Sequence, residues 1–87
     1  MEIIKRNGKT EQFVIAKINT SISNCSQELS FPLTEGDIKL LTNIVKKKLL
    51  DLHRDTSPTS SYEVKGIVYK VLSENGFKEI ATEYISK

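Results

Sequence analysis

Apolar residues recur at steps of three and four along four stretches of this chain, and this spacing constrains the fold more than any other feature. An α-helix has a period of about 3.6 residues, so each stretch is predicted to be an amphipathic helix. Because the chain has only 87 residues, the four apolar faces must be buried against one another. The four sets are Val14, Ile15, Ile18, Ile22, Cys25 and Leu29; Ile38, Leu41, Val45, Leu49 and Leu52; Val64, Ile67, Val68, Val71 and Leu72; and Phe77, Ile80, Ala81, Tyr84 and Ile85.

Residues that start and stop helices separate these stretches. Ser30-Phe31-Pro32 is predicted to end the first helix, whose outward positions carry Asn, Ser and Thr. Thr34 is predicted to cap the second helix, and Ser60 with Glu63 has the spacing of a capping box for the third. Asn75-Gly76 is a strong stop signal for the third helix, because glycine readily adopts a left-handed conformation.

The N-terminal segment is predicted to be a β-hairpin. Asn7-Gly8 favours a tight turn between two short segments that can pair as strands. Two registers remain open, since a two-residue turn pairs Arg6 with Lys9, whereas a four-residue loop pairs Arg6 with Glu11. Part of the linker at 53–59 can add a short third strand to this hairpin.

The predicted fold class is α+β, mainly α: a four-helix bundle capped by a small β-hairpin or a three-stranded sheet, in one domain over residues 1–87.

The net charge of +2 is not that of a strong DNA-binding protein. Cys25 is the only cysteine and His53 the only histidine, which excludes an intrachain disulfide and argues against zinc and other metal sites. No catalytic residues are expected, because a nucleophile, a base and an orienting group cannot be assembled. The chain is therefore not expected to be an enzyme.

The start of the chain does not resemble a secretion signal. The charged residues Glu2, Lys5 and Arg6 follow Met1 almost at once. No apolar run approaches the length of about 20 residues that a membrane span requires. A cytoplasmic location is the default expectation.

Gly8-Lys9-Thr10 has the final residues of a P-loop, G-x-x-x-x-G-K-[ST], but lacks the rest of the motif. The pattern requires a glycine at position 3, where this chain has Ile3. A P-loop also opens a helix whose N-terminal amides hold phosphate, whereas these residues belong to a predicted hairpin. The P-loop interpretation is therefore rejected.

Basic side chains cluster on the predicted hairpin and at the start of the first helix. They are Lys5, Arg6 and Lys9 in the hairpin and Lys17 in the helix. Several cations together can meet the charge of a triphosphate, and arginine can give two parallel hydrogen bonds. The alternative is that these side chains are solvated and protect the hairpin edge from aggregation. Spacing alone favours this second interpretation.

Motifs at both ends of the chain resemble those of the ATP-cone family. That family opens with an apolar residue, Lys-Arg-Asp/Asn-Gly, an acidic residue soon followed by an apolar one, and then Lys-Ile on the first helix. The matching residues here are Ile3-Ile4-Lys5-Arg6-Asn7-Gly8, Glu11-Gln12-Phe13 and Lys17-Ile18. The similar residues towards the end are Ser61-Tyr62-Glu63-Val64, Val68, Leu72, Asn75-Gly76-Phe77, Ile80-Ala81 and Tyr84. The resemblance covers essentially the whole chain in the right order.

The resemblance implies an allosteric function. ATP-cones regulate ribonucleotide reductases and occur in a bacterial repressor of reductase genes, and they resemble a four-helix bundle capped by a three-stranded sheet. They sense ATP against dATP, so ATP or dATP is the expected effector, together with Mg. The expected partners are the adenine nucleotide and either a second copy of the chain or a reductase-like protein. Neither a membrane nor nucleic acid is expected as a partner.

The resemblance also implies which residues bind the nucleotide. Ile3 is the apolar residue that opens the motif, and Lys5 and Arg6 match residues that face phosphate. Glu11 matches an acidic residue near the adenine, and Lys17 matches a first-helix lysine that lines the nucleotide site.

Two further residues of the predicted site come from the third helix. Ser61 stands near the family threonine at the start of that helix, although Ser60 is the better cap by spacing. Lys65 occupies a position where some reductases have a histidine close to the sugar. Val14 stands where some relatives have an asparagine, so one base contact is expected to be lost. The predicted nucleotide-binding residues are Ile3, Lys5, Arg6, Glu11, Lys17, Ser61 and Lys65.

A second interpretation of the chain is a small helical module that binds nucleic acid or protein. The run Lys46–Lys48 and the three tyrosines support it. The tyrosines can equally be packing residues. Cys25 is predicted to be a core residue, and His53 is predicted to act at a helix C-terminus rather than in catalysis.

Overall fold

The computed structural model describes residues 2–31, 33–53 and 58–86. Over these residues the chain forms three strands and four helices. In chain order they are β1 (Glu2–Ile4), β2 (Thr10–Gln12), α1 (Ala16–Glu28), α2 (Glu35–Leu52), β3 (Thr59–Ser60), α3 (Ser61–Glu74) and α4 (Lys78–Ile85). The predicted class, α+β and mainly α with a three-stranded cap, is confirmed.

The four predicted apolar faces form one core. Helix α1 packs against α2 and α4, and α3 packs against the same two helices, so α1 and α3 stand diagonally across the bundle. Every buried apolar side chain of the described residues belongs to one of the predicted sets. These side chains are Ile18, Ile22, Cys25, Ile38, Leu41, Val45, Leu49, Val64, Val68, Val71, Leu72, Ile80 and Ala81.

The predicted sets are wrong at their ends. Val14 and Leu29 lie just outside α1, and Leu52 and Ile85 are the last residues of α2 and α4. All four side chains are exposed, with Leu52 retaining 62% of its accessible surface. An apolar residue at the helical spacing is buried only where a neighbouring helix covers it, and the terminal turns are not covered in this way.

The helix starts follow the predicted capping residues. The Thr34 side chain accepts a hydrogen bond from the Asp37 backbone N–H at 3.0 Å, and the Thr34 N–H donates to the Asp37 carboxylate at 3.2 Å. Ser60 caps α3, because its hydroxyl accepts from the Glu63 backbone N–H at 3.0 Å. Pro32, which was predicted to help end the first helix, lies outside the described residues.

The predicted stop after the third helix is also confirmed. Gly76 has a φ of +89°, and the N–H of Phe77 donates to the carbonyl of Leu72 at 2.9 Å. This pattern closes the helix end as a Schellman motif does. The ring of Phe77 then meets the ring of Phe31 edge to face, with centroids 6.1 Å apart, which joins the two loops at this end of the bundle.

Both registers considered for the hairpin are wrong. Strands β1 and β2 are antiparallel with Ile3 opposite Glu11. The N–H of Lys5 donates to the carbonyl of Lys9 at 2.8 Å, so three residues remain in the loop. Gly8 ends that loop with a φ of +80°. A turn followed by a left-handed glycine is a common three-residue hairpin loop, which neither sequence alternative included.

The third strand lies on the other side of β1. Strand β3 runs parallel to β1, with Ile3 opposite Thr59 and Ile4 opposite Ser60, and gives the order β2-β1-β3. The prediction of a third strand at the end of the linker is therefore confirmed, while residues 54–57 lie outside the described residues. Because β3 leads straight into α3, the start of that helix is held beside β1.

Candidate functional site

One face of the sheet brings together three of the predicted site residues. Side chains two residues apart on a strand share a face, so Ile3 and Lys5 point the same way and Glu11, opposite Ile3, joins them. The Lys5 Nζ lies 3.0 Å from the Glu11 Oε1, a diagonal pair across the strands. The hydrogen bond from Lys5, with the charges of Lys5 and Lys17, holds the pKa of Glu11 below its ordinary value. Glu11 is therefore an anion at neutral pH.

Helix α1 forms a polar wall beside this face. Lys17, Ser21, Asn24 and Glu28 follow one another at steps of four and three, which places them along one side of the helix. All four side chains line the same cavity. The wall thus offers a cation near the hairpin and hydroxyl, amide and carboxylate groups further along the helix.

The start of α3 forms the opposite side of the cavity. Ser61 is the first residue of α3, and Lys65 lies about one turn further along; both line the cavity. Ser61 also shares a smaller recess with Lys5, Arg6 and Asn7 of the hairpin. A helix N-terminus presents backbone N–H groups and a partial positive charge, so cations and helix dipole act in the same direction at this point.

The cavity between these elements has a volume of about 440 Å³. That volume lies within the range of about 300–1,000 Å³ that is common for small-molecule sites. Apolar and aromatic side chains supply much of its wall, and these are Ile3, Phe13, Val14, Ile18, Cys25, Tyr62, Val64 and Tyr84. Among the described residues, the lining cations are Lys5, Arg6, Lys17 and Lys65. The cavity can therefore take a ligand with one apolar part and one strongly anionic part.

Tyr84 is the contribution of α4 to this cavity. Burial raises the pKa of Tyr84, while a hydrogen bond with Ser21 acts in the opposite direction. The phenol is therefore neutral at physiological pH and can offer both a ring face and a hydroxyl group to a ligand.

The structure brings all seven predicted site residues to one cavity. Ile3, Lys5, Arg6 and Glu11 come from the hairpin, Lys17 comes from α1, and Ser61 and Lys65 come from α3. Lys9, which the sequence grouped with the hairpin cations, is not one of the lining residues. Val14, at the position of a family asparagine, also lines the cavity.

Sequence reasoning missed the polar wall of α1. Ser21 and Asn24 lie among the Asn, Ser and Thr positions that were predicted to face outward, and Glu28 was not considered. A signal was present, because the three residues continue the helical face that begins with Lys17. A polar face was assumed to mean solvent, although the wall of a polar ligand site has the same composition.

Two other predictions concern residues that were not predicted to bind the nucleotide, Cys25 and His53. Cys25 is buried in the core, as predicted, with 2% of its surface exposed. His53 occupies the C-cap of α2, as predicted, and its backbone N–H donates to the backbone carbonyl of Leu49 at 3.0 Å. Its ring also contacts the carboxylate of Glu63, which the sequence did not indicate.

The fold and the cavity define a small ligand-binding domain, a helical bundle with a basic hairpin as its cap. The family model of the ATP cone domain matches residues 1–86. The chain belongs to the ATP cone family, and the resemblance seen in its motifs is confirmed. No curated protein matches the chain. Domains of this family bind adenine nucleotides and act in regulation rather than catalysis.

Within residues 2–31, 33–53 and 58–86, no helix has the length and apolar character to cross a bilayer. The same residues contain no group of three or more His, Cys, Asp and Glu side chains that could hold a metal ion.

Proposed function

We propose that residues 1–87 form one regulatory domain that binds ATP or dATP in this cavity and controls a ribonucleotide reductase-type enzyme. The observation that carries the proposal is the convergence of cations from three elements on one cavity with apolar walls. Lys5 and Arg6 come from the hairpin, Lys17 from α1 and Lys65 from α3. A nucleoside triphosphate has the matching chemistry, an aromatic base joined to a compact polyanion.

The phosphates are proposed to lie between the hairpin and the start of α3. Lys5 and Arg6 share a recess there with Ser61. Arginine can hold two phosphate oxygens at once, and lysine adds a mobile charge. The first turn of α3 adds backbone N–H groups and its dipole. A polyanion in this position would contact two elements together and hold the hairpin against the helix.

The base is proposed to lie further along α1. Ile18 and Tyr84 offer apolar surface there, Ser21 and Asn24 offer hydrogen-bonding groups, and Phe13 adds apolar surface from the hairpin side of the cavity. The resemblance places Glu11 near the adenine, whereas in this structure Glu11 pairs with Lys5 at 3.0 Å. Exposed ion pairs of this kind are weak, so Lys5 can exchange the carboxylate for phosphate at little cost.

Magnesium is proposed to enter with the nucleotide rather than to occupy a protein site of its own. Magnesium is usually bound through substrate phosphates, water and one or two carboxylates. Glu11 and Glu28 are the carboxylates that line the cavity among the described residues. When bound, the ion would neutralise part of the phosphate charge.

The regulatory output is proposed to be a change in association, either of the chain with itself or with a reductase-like partner. Large apolar side chains on the outer surface support this, since Leu40 and Leu50 of α2 are each at least half exposed. Isolated exposed apolar residues are common, so they support the proposal without identifying the partner. Cys25 is buried and is the only cysteine of the chain, so it forms no intrachain disulfide, which is compatible with the reducing cytoplasm that the proposal assumes.

The alternative function, a module for nucleic acid or protein, depends on the run Lys46–Lys48. Lys48 is held by Glu74 at 3.8 Å, while Lys46 and Lys47 are exposed on α2. The run Lys46–Lys48 supplies only a few cations on one helix, whereas cations from three elements converge on the cavity. Nucleotide binding is therefore favoured over binding of nucleic acid or protein.

Calorimetric titration of the chain with ATP, dATP and GTP, with magnesium present, tests the proposal. Ligand at 100 times its dissociation constant stabilises a native state by about 2.7 kcal/mol. For a domain of this size, the melting temperature should then rise by an amount on the order of 10 °C. A short DNA duplex in a parallel titration tests the alternative. Absence of both heat and thermal shift with millimolar ATP would refute nucleotide binding.

A further inference from the structure

The carboxylate of Glu63 joins three elements beside the cavity. Glu63 lies in the first turn of α3, and its Oε1 accepts a hydrogen bond from the Thr59 hydroxyl of β3 at 2.7 Å. The same oxygen contacts the Nε2 of His53, the residue that caps the C-terminus of α2. This three-residue contact, His53–Glu63–Thr59, is here named the junction latch.

The latch differs from the role that the sequence indicates for Glu63. Ser60 and Glu63 have capping-box spacing, and in such a box the acidic side chain returns to the backbone N–H of the cap. Asp37 does this at Thr34, where the distance is 3.2 Å. The Glu63 carboxylate instead binds β3 and α2, so it acts between elements rather than within one helix.

The two donors of the latch are largely shielded from water, and its acceptor is a carboxylate. Thr59 is 1% exposed, and the side chain of His53 is 9% exposed. Hydrogen bonds from Thr59 and then from His53 hold the pKa of Glu63 below its ordinary value, so the carboxylate is ionised at neutral pH. The Glu63 side chain itself retains 40% of its accessible surface, and hydrogen bonds to an ionised group are stronger than those between neutral groups.

The latch also lies next to residues that line the cavity without lining it itself. Ser61 and Lys65 stand two residues before and after Glu63, and both are cavity residues. The Glu63 and His53 side chains are not among the lining residues. An effect of the latch on a bound nucleotide can therefore pass through the first turns of α3, or through β3 to Ile3 of β1, which also lines the cavity.

We propose that Glu63 is a positioning residue for the nucleotide site, and that the junction latch couples occupancy of the cavity to the C-terminal end of α2. This inference rests on the proposed function, because it concerns the regulation of the same site. Coupling between two sites is reciprocal. A latch that sets nucleotide affinity must therefore itself respond when nucleotide binds.

The first test compares ATP affinity and melting temperature in three variants. Glu63→Ala removes the latch, whereas Glu63→Gln keeps an oxygen that accepts from Thr59 and His53. Glu74→Ala is the matched control, because it breaks the Lys48–Glu74 pair that also joins α2 to α3, at the far end of α3. Glu63→Ala should weaken ATP binding about 5- to 10-fold, in the range of common coupling effects. Glu63→Gln should restore most of the affinity, and Glu74→Ala should leave it unchanged.

The second test uses His53 as a probe, because it is the only histidine of the chain. Its ring signals in a proton–carbon NMR spectrum can be followed in the apo and ATP-bound states. ATP should shift these signals in the unmodified chain, although His53 does not line the cavity. In Glu63→Ala, saturating ATP should shift them much less.

The two tests separate this inference from the function on which it rests. If ATP binds normally, Glu63→Ala keeps full affinity and the His53 signals stay in place, the latch is overturned and nucleotide binding stands. If Glu74→Ala weakens binding as much as Glu63→Ala, the effect is general loosening of α2 against α3, and the latch is again overturned. If no nucleotide binds to the unmodified chain, both proposals fail.

Discussion

Lys5 has one partner in the structure and would have a different partner in the proposed complex. In the structure its ammonium group pairs with Glu11 across the hairpin at 3.0 Å, and in the complex it would face phosphate. Arg6, the next residue, lines the same recess beside the start of α3. Both side chains are exposed and contribute nothing to the core, so their substitution separates binding from folding.

Lys5→Ala and Arg6→Ala should each weaken ATP binding while leaving the chain folded. A lost hydrogen bond to a charged group costs about 1.5–3 kcal/mol, or roughly 10- to 150-fold in affinity. The free energy of unfolding should change by less than about 0.5 kcal/mol, as is usual at exposed positions. Calorimetric titration and urea unfolding measure the two quantities. Lys47→Ala, an exposed lysine of α2 that does not line the cavity, is the control. Unchanged affinity in both hairpin variants would place the phosphates elsewhere.

Tyr84 should make the stability of the chain sensitive to alkaline pH. Burial raises its pKa in the folded state above the ordinary value of 10.0, so the folded chain keeps the proton to higher pH than the unfolded chain does. The stabilising effect of the protonated Tyr84 side chain is therefore complete below pH 10.0 and is lost as the pH rises through the raised pKa of the folded state. The free energy of unfolding of the unmodified chain should therefore fall relative to that of Tyr84→Phe as the pH rises above 10.0. A difference that stays constant from below pH 10.0 to well above it would contradict the partly buried position of the phenol.

At the scale of elements, the sequence predicted the parts of the fold that depend on local physics. The helices follow from apolar periodicity, and their starts follow from Thr34 and Ser60, whose hydroxyls cap nearby N–H groups. The hairpin register could not be derived, because it depends on the loop geometry around Gly8 and on pairing across β1. The partners of Glu63 could not be derived either, because His53 is ten residues away along the chain and meets it only after folding.

The candidate site was predictable to a different extent. The seven predicted residues were taken from the family motif, and the structure gathers them at one cavity. Spacing alone favoured the opposite interpretation of Lys5 and Arg6, namely solvated cations. The wall of α1 with Ser21 and Asn24 was missed, because a polar helix face can lie against solvent or against a polar cavity. Only the arrangement of the hairpin, α1 and α3 around one cavity distinguishes these two cases.

The two left-handed glycines allow a matched test of the hairpin as an element. Gly8 has a φ of +80° and Gly76 a φ of +89°, and a Cβ built at either position meets no atom within 4 Å. Alanine at either site should therefore cost a similar backbone penalty of about 1–2 kcal/mol. Only Gly8→Ala should also weaken ATP binding, since Gly8 shapes the loop that carries Arg6 and Gly76 lies at the other end of the bundle. Thermal unfolding and titration of both variants measure this. Equal affinity in both would mean that the hairpin does not contact the nucleotide.

At the scale of the whole molecule, regulation requires that the bound and free forms present different surfaces. A ligand shifts a conformational equilibrium only by its differential affinity for the two states. The cavity lies between the hairpin, α1 and the start of α3, whereas the exposed Leu40 and Leu50 lie on α2. A signal from nucleotide to partner must therefore cross the bundle, and the contact of α2 with α3 is a direct route.

Nucleotide-dependent association is the expected consequence for the molecule as a whole. Sedimentation velocity of the chain, and of any longer protein that contains it, should give different distributions in the apo, ATP and dATP states. The distributions should differ because a contact on the outer helices is favoured in one nucleotide state and disfavoured in another. Replacing the exposed Leu40 and Leu50 by serine should reduce association if α2 forms that contact, with little effect on the core because both side chains face outward. ATP affinity of this double variant is the control, since neither leucine lines the cavity. Identical sedimentation in all three states, for chain and longer protein alike, would leave a nucleotide-binding domain without this output.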